Sequence, residues 1–241
     1  MQNQNEEQLS KPSSALENFW YHYKWHTLII GFFVVFFIIA IAQMTGKPSY
    51  DAHILYTGPA YLDGETISDI LSVMEEASHA AAPVNDNPAD YTKDQKLNLD
   101  FNKIIYVSEA LAKQYQEDGV YFNALTNQSS RGQFDNFIMV GEYVILLIDQ
   151  SLYQETVDTG AFCSLEDVLG YVPENAYDTC GFFIGDLPIG NANGFRQLPR
   201  DTIICCRAKS YVNNFNKKVQ NEDQYAAQLA LFRQLVAYQP E

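Results

Sequence analysis

Basic residues are scarce in this chain: fifteen Lys and Arg stand against thirty Asp and Glu, a formal net charge of −15 at pH 7. Such an acidic polypeptide repels phosphate backbones, so no nucleic-acid partner is expected. Histidine is rarer still, with four copies. His22 and His26 precede a long apolar run, His53 falls in a predicted strand and His79 at a predicted helix end. None stands beside a cysteine or a carboxylate pair at ligand spacing, so no metal site and no cofactor are read. A nucleophile elbow, a P-loop, a dinucleotide fingerprint and an EF-hand loop are all missing. Asp86, Asp90 and Asp94 approach a calcium loop, but Pro88 and the missing glycine break the pattern, which leaves a solvated loop. No internal repeat and no low-complexity tract is found.

What the chain does have is fifteen uninterrupted apolar residues, Leu28 to Ala42. With Thr27, Gln43 and Met44 the stretch reaches eighteen residues, and a helix of that length covers roughly 27 Å, close to the hydrocarbon thickness of a bilayer. Trp20, Tyr21, Tyr23, Lys24 and Trp25 lead into it. Amphipathic rings and a snorkelling lysine suit the headgroup layer, so Trp20, Tyr23, Lys24 and Trp25 are assigned as the membrane anchor. Ala40-Ile41-Ala42 also has the shape of a signal-peptide cleavage site, but Glu6, Glu7 and Glu17 in a long preceding region argue against cleavage. Lys11 and Lys24 before the run against Lys47 after it give a one-charge bias that keeps the N-terminus in the cytoplasm. The expected organisation is a partly disordered cytoplasmic head (1–26), a span (27–45) whose partner is the lipid bilayer, and an extracellular domain (46–241).

Residues 1–47 are electrically neutral as a whole, so the whole net charge sits after residue 47, where 27 acidic residues face 12 basic ones. Sixteen Tyr and fifteen Phe supply material for a real core. Strands are predicted at 50–56, 97–107, 142–148, 181–187 and 201–206. Helices are predicted at 65–77, 109–119, 129–140, 150–160 and 222–238, with a short turn of helix in 162–170. Ile67, Ile70, Leu71 and Met74 form one stripe at helical spacing. Ser108 and Asp149 are placed as N-caps and Gly119 as a helix stop. Glu142–Ile148 reads as a central strand covered on both faces. Strands alternating with helices predict an α/β domain with a mixed, largely parallel sheet.

A few residues stand out as candidate sites. Asp149 lies just past the carboxyl end of the central strand, where open α/β sheets bind ligands, and could meet an amine or cation; an N-cap role explains it equally. Arg196 and Arg200, with Arg207, are positioned to meet a carboxylate or to neutralise nearby acids. Cys205 and Cys206 are adjacent in a strand and must point to opposite faces. Cys163 and Cys180 are the candidates for one disulfide, with four buried thiols as the alternative. Asn127-Gln128-Ser129 matches a glycosylation sequon by pattern alone.

The order of these pieces resembles a known group. Gly141-Glu142-Tyr143-Val144-Ile145-Leu146-Leu147-Ile148-Asp149, then Leu152-Tyr153, Gly160-Ala161-Phe162 and Leu165 resemble a passage of type II extracytoplasmic solute-binding proteins. Thr202 to Cys206, the break at 210–213 and the helix 222–235 resemble their C-terminal end. Phe19 to Thr27 resembles the approach to the span in uncharacterised single-pass membrane proteins of Gram-positive bacteria. The resemblance implies a shortened solute-binding fold, tethered by a helix rather than by a lipidated cysteine. Three functions compete: a non-catalytic binding or protein-interaction domain, accessory to a transporter or envelope complex; a cell-envelope hydrolase using acidic residues; and a signalling stalk, which the short polar head disfavours.

Overall fold

The computed structural model describes residues 13–45, 49–209 and 222–240, and it falls into two units, 1–48 and 49–241. The expectation of disorder in the head concerns positions 1–12, outside the described residues. The first unit is one helix, α1 (Ser13–Thr45). Within it Phe19–Ile41, 23 residues of mean hydropathy 2.1 with none of it buried, is long and apolar enough to cross a membrane. The helix starts well before the apolar run, so the anchor residues are helical: Trp20, Tyr23, Lys24 and Trp25 all project from it exposed. Phe19 and Tyr23, one helical turn apart, stack with centroids 5.4 Å apart.

The second unit is a five-stranded sheet between helices. Its strands are β1 (Ala52–Gly58), β2 (Leu99–Ile105), β3 (Ile145–Ile148), β4 (Gly181–Phe183) and β5 (Ile203–Cys206). Its helices are α2 (Gly64–Ala81), α3 (Glu109–Glu117), α4 (Ala124–Val140), α5 (Gln150–Val157), α6 (Leu165–Leu169) and α7 (Glu222–Ala237). The spatial order is β2-β1-β3-β5-β4. β1 pairs in parallel with β2 and with β3, while β5 is antiparallel to β3 and to β4. Four strands therefore run one way and β5 alone runs against them, so only half of the strand pairings are parallel.

Alternation along the strands builds two cores. Ala52, Ile54 and Tyr56 of β1 and Ile145 and Leu147 of β3 face one side, with Met74 of α2 and Leu231 and Phe232 of α7 packed over them. Leu55, Leu146 and Ile148 face the other side, under Phe134 of α4 and Leu152 and Tyr153 of α5. All four residues of β3 are buried, as a strand covered on both faces must be.

Local capping sets most helix ends. Asp63 accepts from Thr66 N at the start of α2, Ser108 from Leu111 N at α3 and Asp149 from Ser151 N at α5. α4 begins five residues earlier than periodicity predicts because Asn123 caps it, accepting from Leu125 N and Thr126 N at 3.1 Å. The buried face starts only at Ser130 and Phe134, so a search for an inward apolar stripe misses the exposed first turn. β4 stops at Phe183, where a strand to 187 was expected. From Ile184 the chain coils through 3₁₀ turns at Ile184–Asp186, Pro188–Asn191 and Phe195–Gln197. Pro188 lacks the N–H a ladder needs, and a Cβ on Gly190 would meet the carbonyl carbon of Ile184 at 2.9 Å, so only a glycine fits that fold-back. α7 buries Gln228 and Gln234 along with its apolar residues. Gln228 Oε1 accepts from His53 N at 2.9 Å, and Gln234 bonds Ser78 and Asn87 at 2.8 and 3.0 Å, so each buried amide is satisfied.

Candidate functional site

The chain passes from β1 to β2 on one side and from β2 across to β3 on the other. The strand order thus reverses between β1 and β3, and the crevice at the carboxyl ends of these strands is where such sheets receive ligands. Gly58 and Tyr106 meet there, Tyr106 N donating to Gly58 O at 2.9 Å, and Asp149 N donates to Thr57 O at 2.8 Å. Thr57 is fully buried, and its Oγ1 is one of two buried side-chain polar atoms without a hydrogen-bond partner among the described residues. At Tyr106 and Val107, just past the end of β2, opens a cavity of about 310 Å³, at the small end of ligand-binding volumes. Val107, Ala112 and Phe122 give it an apolar wall; Tyr106, Arg131 and Glu155 supply polar groups.

The polar groups are held firmly. Asn127 clamps the backbone of Val107, accepting from its N–H at 2.8 Å and donating to its carbonyl at 2.9 Å. That clamp fastens α4 to the end of β2, and it occupies the amide that the sequon pattern would offer to a glycan. Arg131 pairs with Glu155 and, at 3.2 Å, with Asp135. Burial works to lower the Arg131 pKa, and the two carboxylates outweigh it and leave it raised. Burial, helped by the Glu155 charge, pushes the Tyr106 phenol up, so it stays a neutral donor.

The residues singled out from sequence do not converge on this cavity. Asp149 stands at the crevice, but its carboxylate is engaged with the first turn of α5, accepting from Ser151 N at 3.0 Å, Leu152 N at 3.4 Å and Ser151 Oγ. Arg200 ties the coiled segment after β4 together, donating to Gly190 O and Asn191 Oδ1 at 3.1 Å and to Gly185 O. Arg196 is exposed on the 195–197 turn. Arg207 is buried and, among the described residues, has no carboxylate in an ion pair with it. It donates to Gly141 O at 3.0 Å and Ile138 O at 3.5 Å, the carbonyl end of α4, where a helix favours a cation. Burial lowers its pKa.

All four cysteines are free thiols in the structure. The proposed Cys163–Cys180 pair is split by the sheet: Cys163 packs into the core under α7, Cys180 into the core under α5. Cys206 and Cys205 divide in the same way. Asp90 spends its carboxylate on Lys93 N and Gln95 N, and Asp94 on Lys96 N and Asn98 Nδ2, so both organise their own loop. A larger hollow of about 930 Å³ lies at the opposite end of the sheet, between the 86–93 loop and the alanine face of α7.

The cavity residues Tyr106, Arg131 and Glu155 were not singled out from sequence. Applying the strand-end rule to β2 as well as to β3 points to Tyr106; Arg131 and Glu155 sit on polar helix faces that carry no signal of their own. Fold and crevice together define a single-lobed α/β domain with one ligand-sized hollow at its carboxyl edge. No protein-family model, no curated protein and no solved structure matches the chain.

Proposed function

We propose that this chain is a single-pass membrane protein that holds its α/β domain outside the cell as a non-catalytic binding domain for a partner in the membrane or envelope. The observation that carries the reading is the bare Phe19–Ile41 helix joined to a separately packed domain. The lysine bias across the span, Lys11 and Lys24 before it against Lys47 after it, favours a cytoplasmic N-terminus. The kinship with solute-binding proteins belongs to this proposal.

A surface suited to that partner adjoins the cavity. α3 buries no residue, and the turn joining it to α4, with the first turn of α4, presents Val120, Tyr121 and Leu125, the last two 87% and 78% exposed. Aromatic and aliphatic side chains grouped beside a small hollow are typical of protein-binding anchors.

The test is a topology assay on cells expressing the chain with a tag at each end. Protease added outside should remove the C-terminal tag and the domain while sparing the N-terminal tag, and alkaline washing should leave the chain in the membrane. A domain protected from external protease, or a chain released by the wash, overturns the reading.

A further inference from the structure

Segment 162–163 lies along β5. Phe162 bridges Arg207 in antiparallel fashion, which sets Cys163 directly opposite Cys206, and Cys163 N donates to Cys206 O at 2.8 Å. Cross-strand neighbours of an antiparallel pair that share a face have Cα atoms about 4.5–5.5 Å apart. That lies inside the separation a disulfide spans, about 4.4–6.8 Å. Both cysteines belong to the core under α7, and the Tyr225 hydroxyl of α7 lies 3.1 Å from Cys163 Sγ. Cys163 is half-buried and reachable, while Cys206 is 1% exposed behind it. We propose that Cys163 and Cys206 are the pair that forms an intrachain disulfide in the exported domain.

The inference rests on the extracellular location proposed above, because the oxidant belongs to that side of the membrane. The oxidant is a disulfide, of a thiol–disulfide oxidoreductase or of a small molecule. The Cys163 thiolate attacks it, forming a mixed disulfide and expelling one thiolate. The Cys206 thiolate then attacks Cys163 Sγ and expels the second. Two cysteine thiols lose two electrons and two protons and gain one Sγ–Sγ bond; the oxidant's disulfide becomes two thiols. Burial pushes both cysteine thiols up, so closure is slow at neutral pH. The bond ties β5 to the segment before α6 and closes a loop that holds α6, β4 and the 3₁₀ turns.

The test uses the purified full-length chain in detergent, oxidised with glutathione disulfide, alkylated under denaturing conditions, digested and analysed by mass spectrometry. Cys163 and Cys206 peptides should be joined and Cys180 and Cys205 alkylated. The oxidised chain should melt about 5–10 °C above the reduced one. Cys163→Ser, at the half-buried position, should remove both the link and the shift, whereas Cys180→Ser should keep both. Four alkylated cysteines, or a link confined to any other pair, overturns the pairing whatever the protein's location. A pair that closes in vitro but is fully reduced in chain alkylated inside intact cells refutes the extracellular location instead.

Discussion

Gly141→Ala is the most informative single change in the domain. Gly141 ends α4 in the left-handed region, at φ 80° and ψ 26°. Alanine there costs about 1 kcal/mol from its own Cβ. The Cβ would also stand 2.5 Å from Cζ and 2.7 Å from Nη1 of the buried Arg207. The guanidinium must move, and with it go the bonds to Gly141 O and Ile138 O that compensate a cation with no carboxylate in an ion pair among the described residues. Losing one hydrogen bond from a charged group costs about 1.5–3 kcal/mol. The sum is about 2.5–4 kcal/mol, and a domain of this size loses about 2–4 °C of melting temperature per kcal/mol, so a drop of about 5–16 °C is expected. Far-UV circular dichroism of the full chain during heating measures it. A double-mutant cycle with Arg207→Met isolates the cause. If the Cβ acts by displacing the guanidinium, the two changes are non-additive by about 1–3 kcal/mol. A loss below about 1 kcal/mol, or simple additivity, would show that Arg207 is not wedged against this turn and refute the argument.

Other changes probe separate features. Asn127→Ala strips two partners from the Val107 backbone and should cost about 2–3 kcal/mol in urea denaturation; an effect within error would mean the clamp is idle. Asp149→Ala should cost about 1 kcal/mol, with Asp149→Asn recovering most of it, if the residue serves α5 as an N-cap; equal losses from both would point to a role for its charge. Asp51 is buried, and burial raises its pKa against the bonds it accepts from Asn98 N and Thr92 N. Its protonated form is therefore the one the fold prefers. The stability it contributes is complete below its unfolded pKa near 3.8 and is lost as pH rises through the higher folded value. Wild type should accordingly gain on Asp51→Asn as pH falls from 7 to 4, read as the difference in urea midpoints; a constant difference would contradict the sign.

The readable parts of the sequence were those where a strong periodic signal met no competitor. Ile67, Ile70, Leu71 and Met74 announced α2, and the Val144–Ile148 run announced a strand buried on both faces. Ser108 and Asp149 were legible as caps because a side-chain acceptor before a helix has one cheap use. The reversed β5 was not legible, since a strand pattern carries no direction. Neither were Gln228 and Gln234, polar residues whose burial depends on partners at His53, Ser78 and Asn87, far away in sequence. Where the cysteines pack was hidden for a related reason. Sequence separation says nothing about which face of a sheet a side chain takes, and Cys163 and Cys180 pack into the cores on opposite faces.

Both tryptophans of the chain, Trp20 and Trp25, lie on α1, and the α/β domain has tyrosine as its only phenol or indole fluorophore. Indole emission therefore reports on the environment of the anchor alone. Its wavelength and its quenching by spin-labelled lipids measure how deeply that helix sits, undisturbed by the state of the domain. Tyrosine emission, set chiefly by the domain, follows its unfolding. One sample in one cuvette can thus separate loss of membrane attachment from loss of fold, without labels or truncation.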